Sequence, residues 1–561
     1  MNDLLTISNL SIDFQNEGEL THAVKNVSLK VKRGEVAAIV GESGSGKSVT
    51  SLSILKLLPK PTANYPSGSI LFSENGNEAI DILNADSKTI QEIRGNKIAM
   101  IFQEPMTSLN PVMKCGDQIT EVLVRHKGIN YTTAKQQAID WLARVKLPEP
   151  GKMMDRYPHQ LSGGQKQRVM IAIAMCCVPS LLICDEPTTA LDVTVQKSIL
   201  SLLLELKEQH HIGIIFITHD LGVVSEIADH VSIMYRGEIV EQNITSSIFN
   251  DPQHPYTKAL IACRPGKYPK GYRLPTVENF LGKENYIPPS DTITDKGLRS
   301  RFLISVQNIS VRFPGKKNIL GKTKSYVTAV DSVSFEIFEN ETLGLVGESG
   351  CGKTTLGRTL LKLIEPYEGK IIYNNEDITH ISEKKISELR KEVQLIFQDP
   401  YSSLNPRLTI GDAIAEPMKV AGLLSNNKQK TKRVEELLDK VKIASSMMHR
   451  YPHQFSGGQR QRIVIARALA LAPSVLVCDE SVSALDVSVQ AQVLNLLNDL
   501  KKDLNLTMVF ISHDLSVVRY MCDRILVMNK GKIVEQGKAD DIYLHPSNEY
   551  TKTLLSSVPT L

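Results

Sequence analysis

The amino-acid sequence predicts an α/β protein with two similar halves, and three observations support this. The string GESGSGKS at residues 41–48 returns as GESGCGKT at residues 347–354. Each string follows a short apolar run and precedes a stretch of helical composition. Further short apolar runs, such as LLICDE and LVCDE, recur later in each half and are separated by helical stretches. This alternation is typical of a largely parallel sheet covered by helices.

The repeat extends well beyond the glycine-rich strings. Lys353 lies 306 residues after Lys47, and Glu480 lies 294 residues after Glu186. We infer a tandem duplication, because the later motifs keep the same offset of 294 residues. The expected organisation is a first domain over residues 1–264, a linker over residues 265–302 and a second domain over residues 303–561. The linker segment is rich in Pro, Gly, Lys, Asn and Asp and shows no sustained period.

The net charge and the length of the apolar runs limit the kinds of partner that the protein can bind directly. The formal net charge of +4 is small for 561 residues, which argues against a protein that mainly binds nucleic acid. No run of apolar residues reaches the roughly 18 that a membrane span needs. We therefore expect any role at a membrane to depend on partner subunits.

Both glycine-rich strings fit the pattern G-x-x-x-x-G-K-[ST]. In this pattern, backbone N–H groups wrap the nucleotide phosphates, the lysine reaches the β- and γ-phosphates, and the Ser or Thr holds Mg²⁺. The strand before the loop and the helix after it place the phosphates at a helix N-terminus. The predicted nucleotide-binding residues are Gly41, Glu42, Ser43, Gly44, Ser45, Gly46, Lys47 and Ser48 in the first half, and Gly347, Glu348, Ser349, Gly350, Cys351, Gly352, Lys353 and Thr354 in the second.

Two carboxylates end an apolar run in each half. We expect Asp185 and Asp479 to hold Mg²⁺, largely through water, because Mg²⁺ keeps part of its hydration shell. Glu186 and Glu480 follow directly, where a general base could polarise the attacking water. With Ser48, Thr354 and the two glutamines described next, the aspartates form the predicted metal ligands.

Each half also carries a histidine and a glutamine after an apolar run. His219 and His513 stand in FITHD and FISHD and are predicted to contact the γ-phosphate. Gln103 and Gln398 stand in IFQEP and IFQDP. A glutamine at this point can contact both the metal-bound water and a moving loop.

The strings LSGGQKQR (161–168) and FSGGQRQR (455–462) point to a second anion site in each half. Ser-Gly-Gly at the start of a helix offers a hydroxyl and open N–H groups to a phosphate. Because each half already has a complete phosphate loop, we infer that each of these sites grips the nucleotide of the other half. The predicted residues are Ser162, Gly163, Gly164 and Gln165, and Ser456, Gly457, Gly458 and Gln459.

With these motifs in this order, the chain resembles the ATP-binding cassette (ABC) ATPases over nearly its whole length. The resemblance implies two tandem ABC-type P-loop ATPase domains. Each would have a mostly parallel core sheet, an antiparallel β subdomain and a helical subdomain.

The resemblance also implies a head-to-tail pseudo-dimer within one chain that holds two ATP molecules. The site of Lys47 would be completed by Ser456 and Gly458, and the site of Lys353 by Ser162 and Gly164. An aromatic residue upstream of each loop would stack on adenine. Phe14 is the candidate in the first half, whereas Phe313 and Tyr326 compete in the second.

Further strings narrow the resemblance. EPMTSLNP and DPYSSLNP follow the glutamines, and DPQHPYTKAL and HPSNEYTKTLL stand at the ends of the halves. These look like the dipeptide/oligopeptide and nickel importer branch. That branch implies ATP-driven import of peptides, with glutathione or nickel as alternative solutes. It also implies two integral membrane permease subunits, an extracytoplasmic solute-binding protein, and a place at the cytoplasmic face of the inner membrane.

Two other functions use similar motifs. An exporter ATPase would share the phosphate loops, but the strings at the ends of the halves argue against it. A soluble tandem cassette protein that acts on ribosomes usually has a long charged linker and lacks the histidine. The irregular linker here, together with His219 and His513, argues against that class.

Overall fold

A computed structural model of the protein describes residues 3–16, 19–74, 78–189, 191–282, 301–315, 325–424, 426–483 and 485–558. Contacts between Cα atoms divide the chain into two units. One runs to Ile261, and the other runs from Ala262 to Val558 and includes Asp192–Thr194. These two units are the first half and the second half of the chain.

The first half contains a mostly parallel sheet and a smaller antiparallel sheet. The larger sheet has the strand order β10-β9-β3-β8-β7-β6, with parallel pairing from β9 to β6 and an antiparallel β10 at its edge. The smaller sheet has the order β2-β1-β4-β5 and is antiparallel. The strands are β1 (Asp3–Asn16), β2 (Glu19–Lys32), β3 (Val36–Val40), β4 (Ala63–Phe72), β5 (Ile80–Asp81), β6 (Ile98–Ile101), β7 (Leu181–Asp185), β8 (Gly213–Thr218), β9 (His230–Tyr235) and β10 (Glu238–Ile244).

The central strands are mostly apolar, as expected for strands that are covered on both faces, and their polar residues Asp185 and Thr218 stand at their carboxyl ends. Every residue of β3, β7 and β8 is buried. The helices of this half are Lys47–Ile54, Ser87–Ile93, Pro105–Ser108, Cys115–Lys127, Tyr131–Arg144, Pro150–Met153, Gly163–Met175, Val193–His210, Leu221–Ile227, Thr245–Asn250 and Pro255–Ala262. Cys115–Lys127, Tyr131–Arg144 and Gly163–Met175 pack around a shared apolar cluster and form the expected helical subdomain.

The second half repeats this architecture. Its larger sheet has the order β16-β17-β18-β13-β19-β20, and its smaller sheet has the order β12-β11-β14-β15. The strands are β11 (Phe302–Pro314), β12 (Tyr326–Phe338), β13 (Thr342–Val346), β14 (Glu368–Tyr373), β15 (Glu376–Asp377), β16 (Val393–Ile396), β17 (Val475–Asp479), β18 (Thr507–Ile511), β19 (Arg524–Asn529) and β20 (Lys532–Lys538). The helices are Lys353–Leu360, Glu383–Glu392, Pro400–Ser403, Ile410–Val420, Asn427–Lys440, Gly457–Leu469, Val487–Leu504, Leu515–Met521, Ala539–Leu544 and Glu549–Ser556. The expected fold class is therefore confirmed in both halves.

Part of the expected linker is packed against the second half. A short 3₁₀ helix at Pro265–Lys267 and a helical turn at Val277–Phe280 lie within it. The side chain of Asn495 accepts a hydrogen bond from the backbone N–H of Leu274 over 2.9 Å and donates one to its carbonyl over 2.8 Å. The Tyr520 hydroxyl donates to the carbonyl of Tyr272 over 2.6 Å. The linker segment makes these contacts through its backbone groups, so its amino-acid composition does not reveal them. Residues 283–300 lie outside the described residues.

Among the described residues, no helix combines the length and the apolar composition of a membrane span.

Candidate active sites

The motif residues of each half lie at one edge of its larger sheet. In the first half, β3 ends just before the phosphate loop, β6 just before Gln103, β7 at Asp185 and β8 just before His219. The carboxyl ends of neighbouring parallel strands meet at the same edge, where α/β proteins bind their ligands. The strand order therefore brings four motifs that are distant in sequence together at one site.

The lysine of each phosphate loop is hydrogen-bonded to carbonyls of its own loop. Lys47 is only 4% exposed, and its Nζ donates to the carbonyls of Gly41 over 2.7 Å and Glu42 over 2.8 Å. Lys353 makes the equivalent bonds to Gly347 over 2.7 Å and to Glu348 over 2.9 Å. Each lysine is the first residue of the helix that follows the loop. Its charge therefore lies at the helix N-terminus, where anions bind.

The first glycine of each loop lies against the backbone of a neighbouring strand. A Cβ on Gly41 would lie 2.2 Å from the carbonyl oxygen of Met234, and one on Gly347 would lie 2.2 Å from that of Met528. A side chain at either position would therefore force the loop or the neighbouring strand to shift. The loops therefore start in close contact with β9 and β19.

A hydroxyl and a carboxylate meet beside each loop. The Ser48 hydroxyl donates to Asp185 over 3.1 Å, and the Thr354 hydroxyl donates to Asp479 over 3.0 Å. Burial raises the pKa of Asp185 to about 6, although the hydrogen bond from Ser48 acts in the opposite direction. Burial raises the pKa of Asp479 in the same way. The side chains of Ser48, Asp185, Thr354 and Asp479 all offer oxygen atoms, the ligand type that Mg²⁺ prefers.

The carboxylate of Glu186 joins three motifs. Its Oε2 accepts hydrogen bonds from Gln103 Nε2 over 3.0 Å and from Thr189 Oγ1 over 2.9 Å. His219 Nδ1 lies 3.3 Å from the same oxygen. Burial alone would raise the pKa of Glu186. The hydrogen bond with His219 and the charges of His219 and Lys47 outweigh burial and lower that pKa to about 2.

The second half repeats this cluster. Gln398 Nε2 donates to Glu480 Oε2 over 2.7 Å, and His513 Nδ1 lies 3.5 Å from that oxygen. Burial acts to raise the pKa of Glu480, but its pairing with His513 lowers it overall. Burial likewise acts to lower the pKa of His513, and the hydrogen bond and charge of Glu480 outweigh it, so this pKa is raised. The sequence predicted each side chain separately, and the structure joins them through the glutamate.

Both glutamates have a left-handed backbone conformation, with φ of 48°. The N–H of Glu186 donates to the carbonyl of Ile217 over 2.9 Å, and that of Glu480 donates to Ile511 over 2.9 Å. These bonds tie each glutamate to the strand that leads to the histidine. A positive φ is uncommon for residues other than glycine, and such residues often cluster at functional sites.

The SGGQ strings start helices, as expected. Ser162 is the N-cap of Gly163–Met175, and its hydroxyl accepts a hydrogen bond from the N–H of Gln165 over 3.3 Å. The Gln165 side chain in turn accepts from the Ser162 N–H over 3.1 Å. Ser456 and Gln459 form the same capping box at Gly457–Leu469.

Glycine is required within these strings by packing. A Cβ on Gly164 would lie 2.7 Å from Cγ1 of Val195, and one on Gly458 would lie 2.2 Å from Cγ1 of Val489. The start of each SGGQ helix therefore packs closely on the helix that follows the paired carboxylates.

The candidates for adenine stacking lie in the antiparallel sheets. Phe14 is half-buried on β1, between Thr21 on β2 and Ala63 on β4, and packs against the apolar core. Phe313 is 40% exposed and Tyr326 is 62% exposed. These assignments stay predictions.

Two tyrosines that the sequence did not single out contact the phosphate loops. The Tyr256 hydroxyl accepts a hydrogen bond from the backbone N–H of Glu42 over 3.2 Å. The Tyr550 hydroxyl accepts one from Glu348 over 3.1 Å. Both lie in the strings at the ends of the halves. Their separation equals the 294-residue offset of the later motifs, and this equality is the sequence signal that could have identified them.

Comparison with known protein families agrees with this arrangement. The family model described as "ABC transporter" matches residues 24–189 and 330–483. The model described as "Oligopeptide/dipeptide transporter, C-terminal region" matches residues 240–283 and 534–561.

Curated relatives match over almost the whole chain. The glutathione import ATP-binding protein GsiA of Salmonella paratyphi A is 46% identical over 560 residues, which cover 99% of this chain and 90% of that protein. The protein of the same name from Escherichia coli (strain K12) is 46% identical over 566 residues, with the same coverage. That of Pectobacterium atrosepticum is 45% identical over 561 residues, covering 99% of this chain and 89% of that protein.

The motifs, their convergence at the sheet edges and the family matches lead to one conclusion. The chain belongs to the ABC transporter family, as an ATP-binding, ATP-hydrolysing protein with two ATPase domains in one polypeptide and the C-terminal regions of the oligopeptide/dipeptide transporters.

Proposed function

We propose that this protein energises the import of short peptides, with glutathione as the first solute to test. The observation that carries the proposal is the 46% identity to glutathione import ATPases over 99% of the chain. The C-terminal region of the oligopeptide/dipeptide transporters, present in both halves, supports the same branch.

ATP hydrolysis would use the same set of side chains in each half. Lys47 binds the phosphates, and Glu186 takes a proton from the attacking water. Gln103 and His219 orient the Glu186 carboxylate, since both lie within 3.3 Å of its Oε2. The lowered pKa of Glu186 keeps that carboxylate ionised at neutral pH. Lys353, Glu480, Gln398 and His513 have the same roles in the second half.

A magnesium ion fits the oxygen donors beside each loop. Ser48, Asp185 and Gln103 would hold it in the first half, and Thr354, Asp479 and Gln398 in the second. When bound, Mg²⁺ neutralises charge on the phosphates. Chelation by EDTA should therefore abolish ATPase activity, and added Mg²⁺ should restore it.

We further propose that the two halves complete each other's ATP sites. The proposal is supported by the SGGQ strings, which supply a second anion site to halves that already contain a phosphate loop each. ATP would favour the paired state through contacts that exist only there, and hydrolysis would release them.

The proposed partners are two integral membrane permease subunits and an extracytoplasmic solute-binding protein. The protein would sit at the cytoplasmic face of the inner membrane. Purification of the tagged full-length chain from membranes should recover permease subunits. Recovery of ribosomes instead would favour the soluble tandem class and contradict the proposal.

Uptake assays test the solute. A deletion strain should lose accumulation of labelled glutathione or dipeptides, and the wild-type gene should restore it, whereas a gene carrying both Glu186→Gln and Glu480→Gln should not. Unchanged peptide and glutathione uptake with reduced nickel accumulation would favour nickel import.

A further inference from the structure

The string at the end of each half contributes a tyrosine that contacts the phosphate loop of the same half. The ring of Tyr256 is completely buried and lies against Tyr235, with ring centroids 4.2 Å apart. Its hydroxyl accepts the hydrogen bond from Glu42 N–H over 3.2 Å. Tyr550 bonds to Glu348 N–H in the same way, over 3.1 Å. The same contact occurs on equivalent residues in both halves, which argues that it is not incidental.

The contact holds a single peptide group from two sides. The Gly41–Glu42 peptide offers its carbonyl to Lys47 Nζ over 2.7 Å and its N–H to the Tyr256 hydroxyl over 3.2 Å. In a planar trans peptide these two groups point in opposite directions. The tyrosine therefore opposes rotation of the peptide that holds the catalytic lysine. Tyr550, Glu348 and Lys353 form the same arrangement.

A glutamate on the last strand of each larger sheet fixes the start of the string. Glu241 accepts hydrogen bonds from the N–H groups of Gln253 over 2.8 Å and His254 over 3.0 Å. Glu535 accepts from Ser547 over 2.6 Å and Asn548 over 3.3 Å. Each tyrosine follows within three residues of this anchor, so its hydroxyl reaches the loop from a fixed base.

We propose that Tyr256 and Tyr550 are positioning residues for ATP binding, each of which fixes the first peptide of its own phosphate loop. This inference rests on the phosphate loops being the ATP sites. It makes the C-terminal region of each half part of the nucleotide site.

Removal of the two hydroxyls tests the proposal. The variant with Tyr256→Phe and Tyr550→Phe keeps both rings but removes the hydroxyls that accept the part-buried hydrogen bonds from the N–H groups of Glu42 and Glu348. We expect the KM for ATP to rise about tenfold, with kcat within about twofold, because the residues that act on the attacking water are unchanged. Tyr131→Phe is the matched control. It removes a hydroxyl bonded to Asp117 over 3.1 Å in the helical subdomain, and its KM should equal that of the wild type.

Hydrogen–deuterium exchange of the full-length protein gives a second readout. Tyr256→Phe should speed exchange at residues 41–48 and leave residues 347–354 unchanged, and Tyr550→Phe should do the reverse. An unchanged KM, or a loop exchange rate equal to that of the Tyr131→Phe control, would overturn the proposal. Failure of the wild-type protein to bind ATP would instead overturn the assignment of the ATP sites.

Discussion

The side-chain amide of Gln398 donates a 2.7 Å hydrogen bond to the carboxylate of Glu480. The glutamine follows β16 and the glutamate follows β17, neighbouring parallel strands of one sheet. The bond orients the carboxylate that we propose activates the attacking water. The same relationship exists in the first half, where Gln103 donates to Glu186 over 3.0 Å.

Loss of both carboxylate charges should stop hydrolysis without stopping ATP binding. Glu186→Gln combined with Glu480→Gln keeps the size of the side chains but removes the general bases. We expect kcat to fall by about 10² to 10⁴, with ATP affinity within about threefold of the wild type. Single-turnover hydrolysis and equilibrium binding measure the two quantities. Hydrolysis at the wild-type rate would contradict the assignment of the bases.

The hydrogen bond from the glutamine should matter for rate. Gln398→Ala removes a donor to a charged group, an interaction that contributes about 1.5–3 kcal/mol. In a chain with Lys47→Ala, which leaves only the second loop intact, we expect Gln398→Ala to lower kcat about tenfold or more. Gln429→Ala, in the helix Asn427–Lys440, is a control that should leave kcat unchanged. An equal effect of both changes would mean that the bond does not orient the glutamate.

The protonation of His513 should depend on Glu480. In the wild type, the pairing with Glu480 outweighs burial and raises the His513 pKa. The stability that this pair contributes is complete below the unfolded-state histidine pKa of 6.5, and is lost as pH rises through the raised pKa. In Glu480→Gln burial still lowers the His513 pKa and the contribution of Glu480 is lost, so this pKa should fall from its wild-type value. NMR titration of the histidine ring protons checks this, and an unchanged pKa would contradict the pairing.

Two loop glycines should respond differently to alanine. A Cβ on Gly41 would lie 2.2 Å from the Met234 carbonyl oxygen, whereas one on Gly44 would have no atom within 4 Å. Gly44 has φ of +79°, so Gly44→Ala should cost only about 1 kcal/mol of backbone strain. Gly41→Ala must displace β9 or the loop and should cost about 2 kcal/mol or more. Urea unfolding of both variants provides the comparison, and equal losses would contradict the close approach.

The proposed exchange of SGGQ strings between halves can be tested with one active site. In a chain with Lys353→Ala, the remaining ATPase activity depends on the loop of Lys47. We expect Ser456→Ala to lower this activity about tenfold and Ser162→Ala to leave it nearly unchanged. The two serines form the same capping box, so their effects on folding should be similar. The opposite ranking would show that each site is completed by its own half.

The family and the fold class could be predicted from the chain alone, and the sequence also supplied the candidate catalytic side chains, whose roles stay predictions. The phosphate-loop pattern requires specific residue types at fixed spacing. Its repetition in the second half, followed by motifs that share an offset of 294 residues, excludes coincidence. Apolar runs such as VAAIV predicted buried parallel strands correctly, because a strand covered on both faces is mostly apolar. At these positions the residue types and their spacing were sufficient to predict the local structure.

Tertiary structure decided which groups meet. The contact of His219 with the γ-phosphate stays a prediction, whereas the 3.3 Å approach of its Nδ1 to Glu186 was not foreseen, because it depends on the order of β7 and β8 in the sheet. Tyr256 reaches the Glu42 N–H across 214 residues of sequence. Leu274, in a segment that composition predicts to be irregular, is buried through backbone hydrogen bonds to Asn495. Residue types and spacing specify the chemistry that each motif can perform. Hydrogen bonds between distant segments depend on strand order and packing, which no local pattern contains.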